Sequence, residues 1–199
     1  MPESQTRPVA VAITGGIGAG KSELLAAFRR QGVPTISSDE IVHLLLRQPD
    51  VKTQIVERLG ERVLDGEGEI SRGRVAERVF RNQADLRWLE ELLHPRVIAT
   101  YLRWREQLGE LDDPPALCVT EVPLLYEVGG ETRFDAVVVV TAAPEVRASR
   151  LGHPVSDRET RLLPIEQKVA QADFVYENEG SLEQLDAFAS DVIATLSRS

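Results

Sequence analysis

Cysteine is almost absent from this 199-residue sequence, in which Cys118 is the single example. One cysteine cannot form an intrachain disulfide, and this usage fits a reducing compartment, so we expect a cytoplasmic protein. Long hydrophobic runs are also missing. The apolar run 136–140 is far too short to span a bilayer, and residues 1–8 contain no apolar signal-peptide core. We therefore expect no membrane segment and a short flexible tail at residues 1–8.

Positive charge is in short supply, because 32 acidic residues outnumber 23 basic ones and give a net charge of −9. This balance argues against a broad surface for nucleic acid, and we expect no nucleic-acid partner. A local cradle for a small anion remains compatible with it. Lysine is the scarcer cation: Lys21, Lys52 and Lys168 are the only lysines, and every other basic residue is an arginine.

Apolar, β-branched runs alternate with helical patterns along the chain, which indicates an α/β fold with a parallel sheet between two layers of helices. The predicted strands cover residues 9–14, 34–37, 117–122, 136–141 and 174–176. A helix is predicted at residues 22–31, where Gly32 ends it, and the last helix is predicted to begin after Ser181. The pattern predicts a three-layer fold with a parallel sheet of about five strands.

The long stretch between the second and third strands is almost wholly helical in pattern, which is more than one crossover needs. Its last apolar stripe begins after Pro95, so we expect a helix boundary there, with His94 between two helices. We predict one domain at residues 9–199, with a core at 9–38 and 116–199 and a helical substrate-binding insertion at 39–115. A helical cap without a ligand role is the alternative for the insertion.

Residues 15–22 match the phosphate-loop pattern G-x-x-x-x-G-K-[ST] in full, with a strand before them and a helix after them. This motif makes the predicted three-layer α/β fold one of the P-loop NTPase type. Glycines let backbone N–H groups turn inward around phosphate oxygens, and the helix N-terminus adds partial positive charge. Lys21 is expected to reach the β- and γ-phosphates, and the Ser22 hydroxyl to ligate Mg²⁺. The predicted nucleotide contacts are Gly16, Ile17, Gly18, Ala19, Gly20, Lys21 and Ser22.

Asparagine is scarce as well, and neither Asn82 nor Asn178 is followed by lysine, so the guanine-reading Asn-Lys-x-Asp of regulatory GTPases is missing. This favours a small-molecule kinase that uses ATP. Asp39 follows the second strand at the edge where parallel sheets bind ligands, and it could accept the proton of an attacking hydroxyl. It could equally cap the helix that starts near Glu40.

An arginine cluster follows the strand at 136–141, where it could stabilise negative charge in a transition state. A solvated helix face is the alternative. The members of the cluster are Arg147, Arg150, Arg158 and Arg161.

Ordered motifs along residues 13–185 resemble those of the dephospho-coenzyme A kinase family. The motifs are Thr14 to Ser22, Asp39, Ile70-Ser71-Arg72 followed by Val79-Phe80, Leu93-His94-Pro95, Glu121-Val-Pro-Leu-Leu-Tyr-Glu127, Ala172-Asp173 and Asn178-Glu179-Gly180. The resemblance implies transfer of the ATP γ-phosphoryl group to the ribose 3′-hydroxyl of dephospho-coenzyme A, which completes coenzyme A biosynthesis.

The same resemblance implies roles for individual residues. Asp39, Lys21, Arg150 and Arg158 would be catalytic, the last two as lid arginines. Asp39, Arg72 and His94 would contact the acceptor, although His94 could merely pack. Asn178 and Gly180 would lie near the adenine, and Glu23 would lie beside the phosphates and the metal.

The sequence departs from the family pattern at several places. Ser37 replaces the first aspartate of an Asp-x-Asp, Glu23 replaces a threonine, and Leu162 stands where glutamine is usual. The lid that the resemblance implies, at about residues 150–163, is shorter than the family's lid and lacks one arginine, so we expect weaker exclusion of water and some ATPase leakage. A different small acceptor, or nucleotide binding with weak catalysis, stays open as an alternative. We expect a monomer or a small homo-oligomer.

Overall fold

The computed structural model describes residues 7–152 and 162–197, which form two compact units. The first unit contains residues up to Ser37 and from Trp104 onward. The second unit is Ser38–Arg103.

The first unit contains a five-stranded sheet in the order β2-β3-β1-β4-β5, with every neighbouring pair parallel. This confirms the predicted α/β fold with five parallel strands. Parallel sheets are buried on both faces, which explains why the central strands read as near-continuous apolar runs. The strands are β1 (Val9–Gly15), β2 (Thr35–Ser37), β3 (Leu117–Glu121), β4 (Ala136–Thr141) and β5 (Phe174–Glu177).

Alternation of side chains along the strands builds a separate hydrophobic core on each face of the sheet. Val11 and Ile13 of β1 face helices α1 (Lys21–Arg30) and α8 (Leu182–Leu196). On the opposite face, Ala12 packs with Leu125 and with residues of the short helix α7 (Ile165–Val169). Because β1 and β3 are parallel neighbours, the loops that follow them emerge at the same edge of the sheet.

The ends of α1 and α8 agree closely with their sequence signals. Gly32 has φ +79° after α1, where Gly32 N–H donates to Arg29 O and Val33 N–H donates to Phe28 O, which is a Schellman motif. Before α8, Ser181 accepts a hydrogen bond from Gln184 N–H at 3.5 Å. Helix α6 (Pro144–Leu151) follows β4 and carries Arg150 in its last turn.

The second unit is helical. Its helices are α2 (Ser38–Leu45), α3 (Pro49–Leu59), α4 (Arg72–Phe80) and the part of α5 (Gln83–Gly109) that ends at Arg103. A short 3₁₀ helix at Glu61–Val63 and a turn at residues 65–69 join α3 to α4.

The helix boundary predicted at Pro95 is wrong, because α5 continues through it for 27 residues. Proline removes one backbone donor and crowds the preceding turn, but a helix that packs along its length can absorb that cost. His94 therefore lies inside a continuous helix and not between two helices.

No helix within residues 7–152 and 162–197 combines the length and the hydropathy that a membrane crossing requires.

Candidate active site

The phosphate loop follows β1 directly, and its glycines are required by close contacts. Gly15 has φ +144°, and a Cβ there would overlap the carbonyl oxygen of Val140 on the neighbouring strand. Gly20 has φ +95°, and a Cβ there would overlap the side-chain amide of Asn178. L-residues with side chains rarely adopt such angles, so both positions demand glycine for conformation and for space.

The loop ends at the N-terminus of α1, where the first turn offers unpaired backbone N–H groups and partial positive charge. Lys21 is the first residue of this helix, and its ammonium donates to Gly16 O at 2.9 Å and to Gly15 O at 3.3 Å. Ser22 and Glu23 follow on the exposed side of the same turn. The predicted residues of the loop are thus brought together around one helix end.

Glu121 is a site residue that we did not predict, although its motif contributed to the family resemblance. It ends β3, is 4% exposed, and accepts hydrogen bonds from the Ser22 hydroxyl at 3.3 Å to each carboxylate oxygen. An acidic residue at the end of an apolar strand is the available signal, because parallel strands end at the same sheet edge. In P-loop enzymes an acid at this place shares the metal with the loop hydroxyl.

Ser22 and Glu121 together suit Mg²⁺, which prefers hard oxygen ligands and commonly takes only one or two carboxylates. Among the residues that the structure describes, no group of three or more histidine, cysteine or acidic side chains could form an all-protein metal cage.

A second set of hydrogen bonds contacts the outer side of the phosphate loop. The Asn178 amide donates to Ala19 O at 2.9 Å and its oxygen accepts from Gly180 N–H at 3.0 Å. The Arg150 guanidinium donates to Gly18 O at 3.3 Å, to Ala19 O at 3.1 Å and to the Asn178 amide oxygen at 3.1 Å. The predicted residues Asn178, Gly180 and Arg150 therefore lie beside the loop, and their contacts with a nucleotide stay a prediction.

The remaining predicted residues divide into two groups. Asp39, Arg72 and His94 belong to the second unit: Asp39 is exposed in the first turn of α2, Arg72 is exposed at the start of α4, and His94 is half-buried in α5. Arg158 and most of the predicted lid lie outside the described residues. The roles given to these side chains are taken up as proposals below.

Cys118 lies in β3 but has no part in this site. Burial raises the pKa of its thiol to about 11, so the thiol stays protonated near neutral pH and is a poor nucleophile.

Comparison with known proteins identifies the chain by sequence and by fold. The family model for dephospho-CoA kinase matches residues 9–184. Dephospho-CoA kinase of Aquifex aeolicus is 34% identical over 195 residues, with 94% of this chain and 97% of the relative covered. That of Anaeromyxobacter dehalogenans is 35% identical over 195 residues, with coverage of 94% and 91%.

Two solved structures share the fold. A Thermus thermophilus protein superposes with a TM-score of 0.76 at 33% identity, covering 96% of this chain and 99% of its own. A dephospho-CoA kinase from Campylobacter jejuni gives a TM-score of 0.70 at 25% identity, with coverage of 95% and 97%. A phosphate loop facing a buried strand-end carboxylate, within a match that spans nearly the whole chain, places this protein in the dephospho-CoA kinase family.

Proposed function

We propose that this protein transfers the γ-phosphoryl group of ATP to the ribose 3′-hydroxyl of dephospho-coenzyme A, giving coenzyme A and ADP as the last step of coenzyme A biosynthesis. The observation that carries the proposal is the phosphate loop with Ser22 hydrogen-bonded to the buried Glu121 carboxylate. Family membership supplies the acceptor, because the loop itself reads only phosphate.

The loop N–H groups and Lys21 hold the phosphates in this proposal. The Lys21 ammonium now donates to the carbonyl oxygens of Gly15 and Gly16, so its charge already lies against the loop. A phosphate oxygen is a stronger acceptor for an ammonium than a neutral carbonyl is, so these contacts are readily exchanged when ATP binds.

Ser22 and Glu121 would hold Mg²⁺, Ser22 by its hydroxyl and Glu121 through its carboxylate. When bound, the ion neutralises charge that develops on the phosphates. Glu23, also in the first turn of α1, would add negative charge near the metal and moderate its affinity.

Asp39 would accept the proton of the 3′-hydroxyl as its oxygen forms a bond to the γ-phosphorus and the bond to the ADP oxygen breaks. Two facts support it: Asp39 comes two residues after β2 ends, and its carboxylate is exposed. Its place in the first turn of α2 also suits a purely helix-stabilising role. Asp39→Asn separates the two, since a base is lost while the fold and ATP affinity remain.

Arg72 and His94 would contact the coenzyme A portion of the acceptor, and Arg158 would contact the transferring phosphoryl group. Arg72 is supported by its exposure at the start of α4, whose first turn carries no acidic residue. The single cysteine supports a cytoplasmic location.

The deciding experiment measures ADP release from Mg-ATP with dephospho-coenzyme A, AMP or CMP as the acceptor. We expect stimulation by dephospho-coenzyme A alone, and a loss of about 100-fold or more in turnover for Asp39→Asn with ATP affinity retained. Stimulation by AMP or CMP instead would reassign the acceptor. ATP binding without stimulation by any acceptor would reduce the protein to a nucleotide binder, and an Asp39→Asn variant of full activity would remove Asp39 from the mechanism.

A further inference from the structure

The carbonyl oxygens of the phosphate loop need hydrogen-bond donors, just as its N–H groups need acceptors. If successive N–H groups turn inward toward phosphate, the carbonyl oxygens of the same peptides turn outward and need donors. In this chain the carbonyls of Gly18 and Ala19 accept from two side chains that are distant in sequence, Arg150 and Asn178, while the N–H of the Gly18–Ala19 peptide donates to Gly16 O at 3.3 Å.

Asn178 is buried and directed at the loop. It is 2% exposed, its amide nitrogen donates to Ala19 O at 2.9 Å, and its oxygen accepts from both Arg150 and Gly180 N–H. Both lone pairs of that oxygen are therefore used within the protein. Its close approach also explains why position 20 must be glycine, because a Cβ there would meet the Asn178 amide.

Arg150 uses the planar fork of its guanidinium to join the same groups. One terminal nitrogen donates to Gly18 O and Ala19 O, and the other donates to Asn178 Oδ1 at 3.1 Å and Asn178 O at 3.4 Å. The four hydrogens of these two nitrogens match four acceptors, all of them protein oxygens. With these contacts, both terminal nitrogens of Arg150 bind the phosphate loop and Asn178.

We propose that Arg150 and Asn178 are positioning residues that hold the Gly18–Gly20 turn of the phosphate loop in its phosphate-binding conformation. They act on the bound phosphate through the peptides, without touching it. Donation to Ala19 O fixes the plane of the Ala19–Gly20 peptide and polarises its N–H, which lies at the opposite end of the same unit. This assigns Arg150 a role other than the lid arginine expected from sequence.

The inference rests on the proposed nucleotide site and is tested by calorimetric titration of the full chain with Mg-ADP. Asn178→Leu keeps the shape and charge of the side chain but removes its donor and acceptor. Arg150→Lys keeps the charge but loses the fork that spans the acceptors. We expect each variant to bind ADP about tenfold more weakly, and the double variant to lose less than the product of the two, because both act on Ala19 O.

Arg30→Ala is the matched control. Arg30 is an exposed arginine at the other end of α1 that makes two hydrogen bonds to Asp186, so its loss tests for general loosening of the helix. We expect its ADP affinity to equal that of the unchanged protein.

The outcomes separate the two claims. If the wild-type protein does not bind ADP, the proposed nucleotide site is wrong, and this inference is wrong with it. If the wild-type protein, Asn178→Leu and Arg150→Lys all bind ADP equally well, the nucleotide site stands and only this inference is wrong. If Asn178→Leu does not fold, Arg150→Lys decides by itself: wild-type ADP affinity combined with a reduced turnover would make Arg150 a direct contact of the transferring phosphoryl group.

Discussion

Two glycine-rich loops of this molecule look alike in sequence and differ in structure. The phosphate loop, residues 15–22, has glycines whose missing side chains make room for Val140 O and for the Asn178 amide. The turn at residues 65–69 matches Asp-x-x-Gly by letter, yet Cβ atoms at Gly66 and Gly68 would meet nothing within 4 Å. Only the first loop is enclosed by the fold, so packing around a glycine distinguishes a binding loop from an ordinary turn.

The largest effect should be the difference in stability between two variants that each add one methyl group, one in the phosphate loop and one in the turn at residues 65–69. Gly15→Ala places a Cβ against the Val140 carbonyl at an unfavourable φ, so we expect it to lower the free energy of unfolding by at least about 3 kcal/mol. Gly66→Ala should change it by less than about 0.5 kcal/mol. Urea denaturation of both variants tests the comparison, which fails if the two are equally stable.

Breaking a buried ion pair should lower the stability of the protein more than breaking an exposed one. The buried pair joins Lys168 and Glu127 at 2.7 Å, and their side chains are 1% and 12% exposed. The exposed pair joins Lys52 of α3 to Glu69 of the turn, and their side chains are 30% and 49% exposed. Glu127→Ala leaves a buried ammonium without its partner and should cost about 3–5 kcal/mol. Glu69→Ala should cost less than about 1 kcal/mol.

A double variant tests whether the unpaired charge of Lys168 causes the loss of stability. If the loss in Glu127→Ala comes from the unpaired charge, Glu127→Leu with Lys168→Met should recover most of the stability, because the buried charge is then gone too. Equal instability of the single and double variants would show instead that the loss comes from side-chain packing or from the Leu163 N–H that donates to Glu127 at 3.0 Å, since both variants lose that acceptor.

The acidic residues of the two regions should differ in their effect on catalysis. Glu121→Gln removes the carboxylate that faces Ser22, so we expect kcat to fall about 100-fold and the Mg²⁺ concentration for half-maximal rate to rise. Asp65→Asn should leave both quantities unchanged. Initial rates over a Mg²⁺ series check this, and a Glu121→Gln enzyme with a normal Mg²⁺ requirement would contradict the site.

The smallest effect concerns pH. Backbone N–H groups of Glu69 and then Glu67 hold the pKa of Asp65 below its ordinary value of 3.8. A folded-state pKa below the unfolded one contributes stability that is present above the unfolded value and lost as pH falls through the folded one. The difference in Tm between the protein and Asp65→Asn should therefore be small at neutral pH and shrink below pH 4. A difference that grows in acid would contradict the assignment.

Local signals were sufficient for much of the fold. The strand predicted at residues 136–141 is β4 residue for residue, Gly32 ends α1, and Ser181 caps α8. Each depends on neighbours close in sequence, whose preferences are read directly from residue type. Pro95 misled because tertiary packing outweighs the lost hydrogen bond of a single proline.

The parts of the site that escaped prediction are joined over long sequence separations. Ser22 meets Glu121, and Ala19 meets Asn178, only because parallel strands end at one edge of the sheet. The family resemblance predicted that Asn178 and Arg150 lie near the nucleotide, but it could not show that their hydrogen bonds go to loop carbonyls. Register and side-chain direction decide such contacts, and neither is visible in a single sequence.

Following the label from γ-³²P-ATP tests the central claim most directly. The protein is incubated with labelled ATP, Mg²⁺ and dephospho-coenzyme A, and the label in coenzyme A and in inorganic phosphate is compared with the ADP formed. We predict that most of the label appears on coenzyme A, with a minor share in phosphate if the lid is as short as the sequence predicts. Label that accumulates in phosphate regardless of dephospho-coenzyme A would contradict the account.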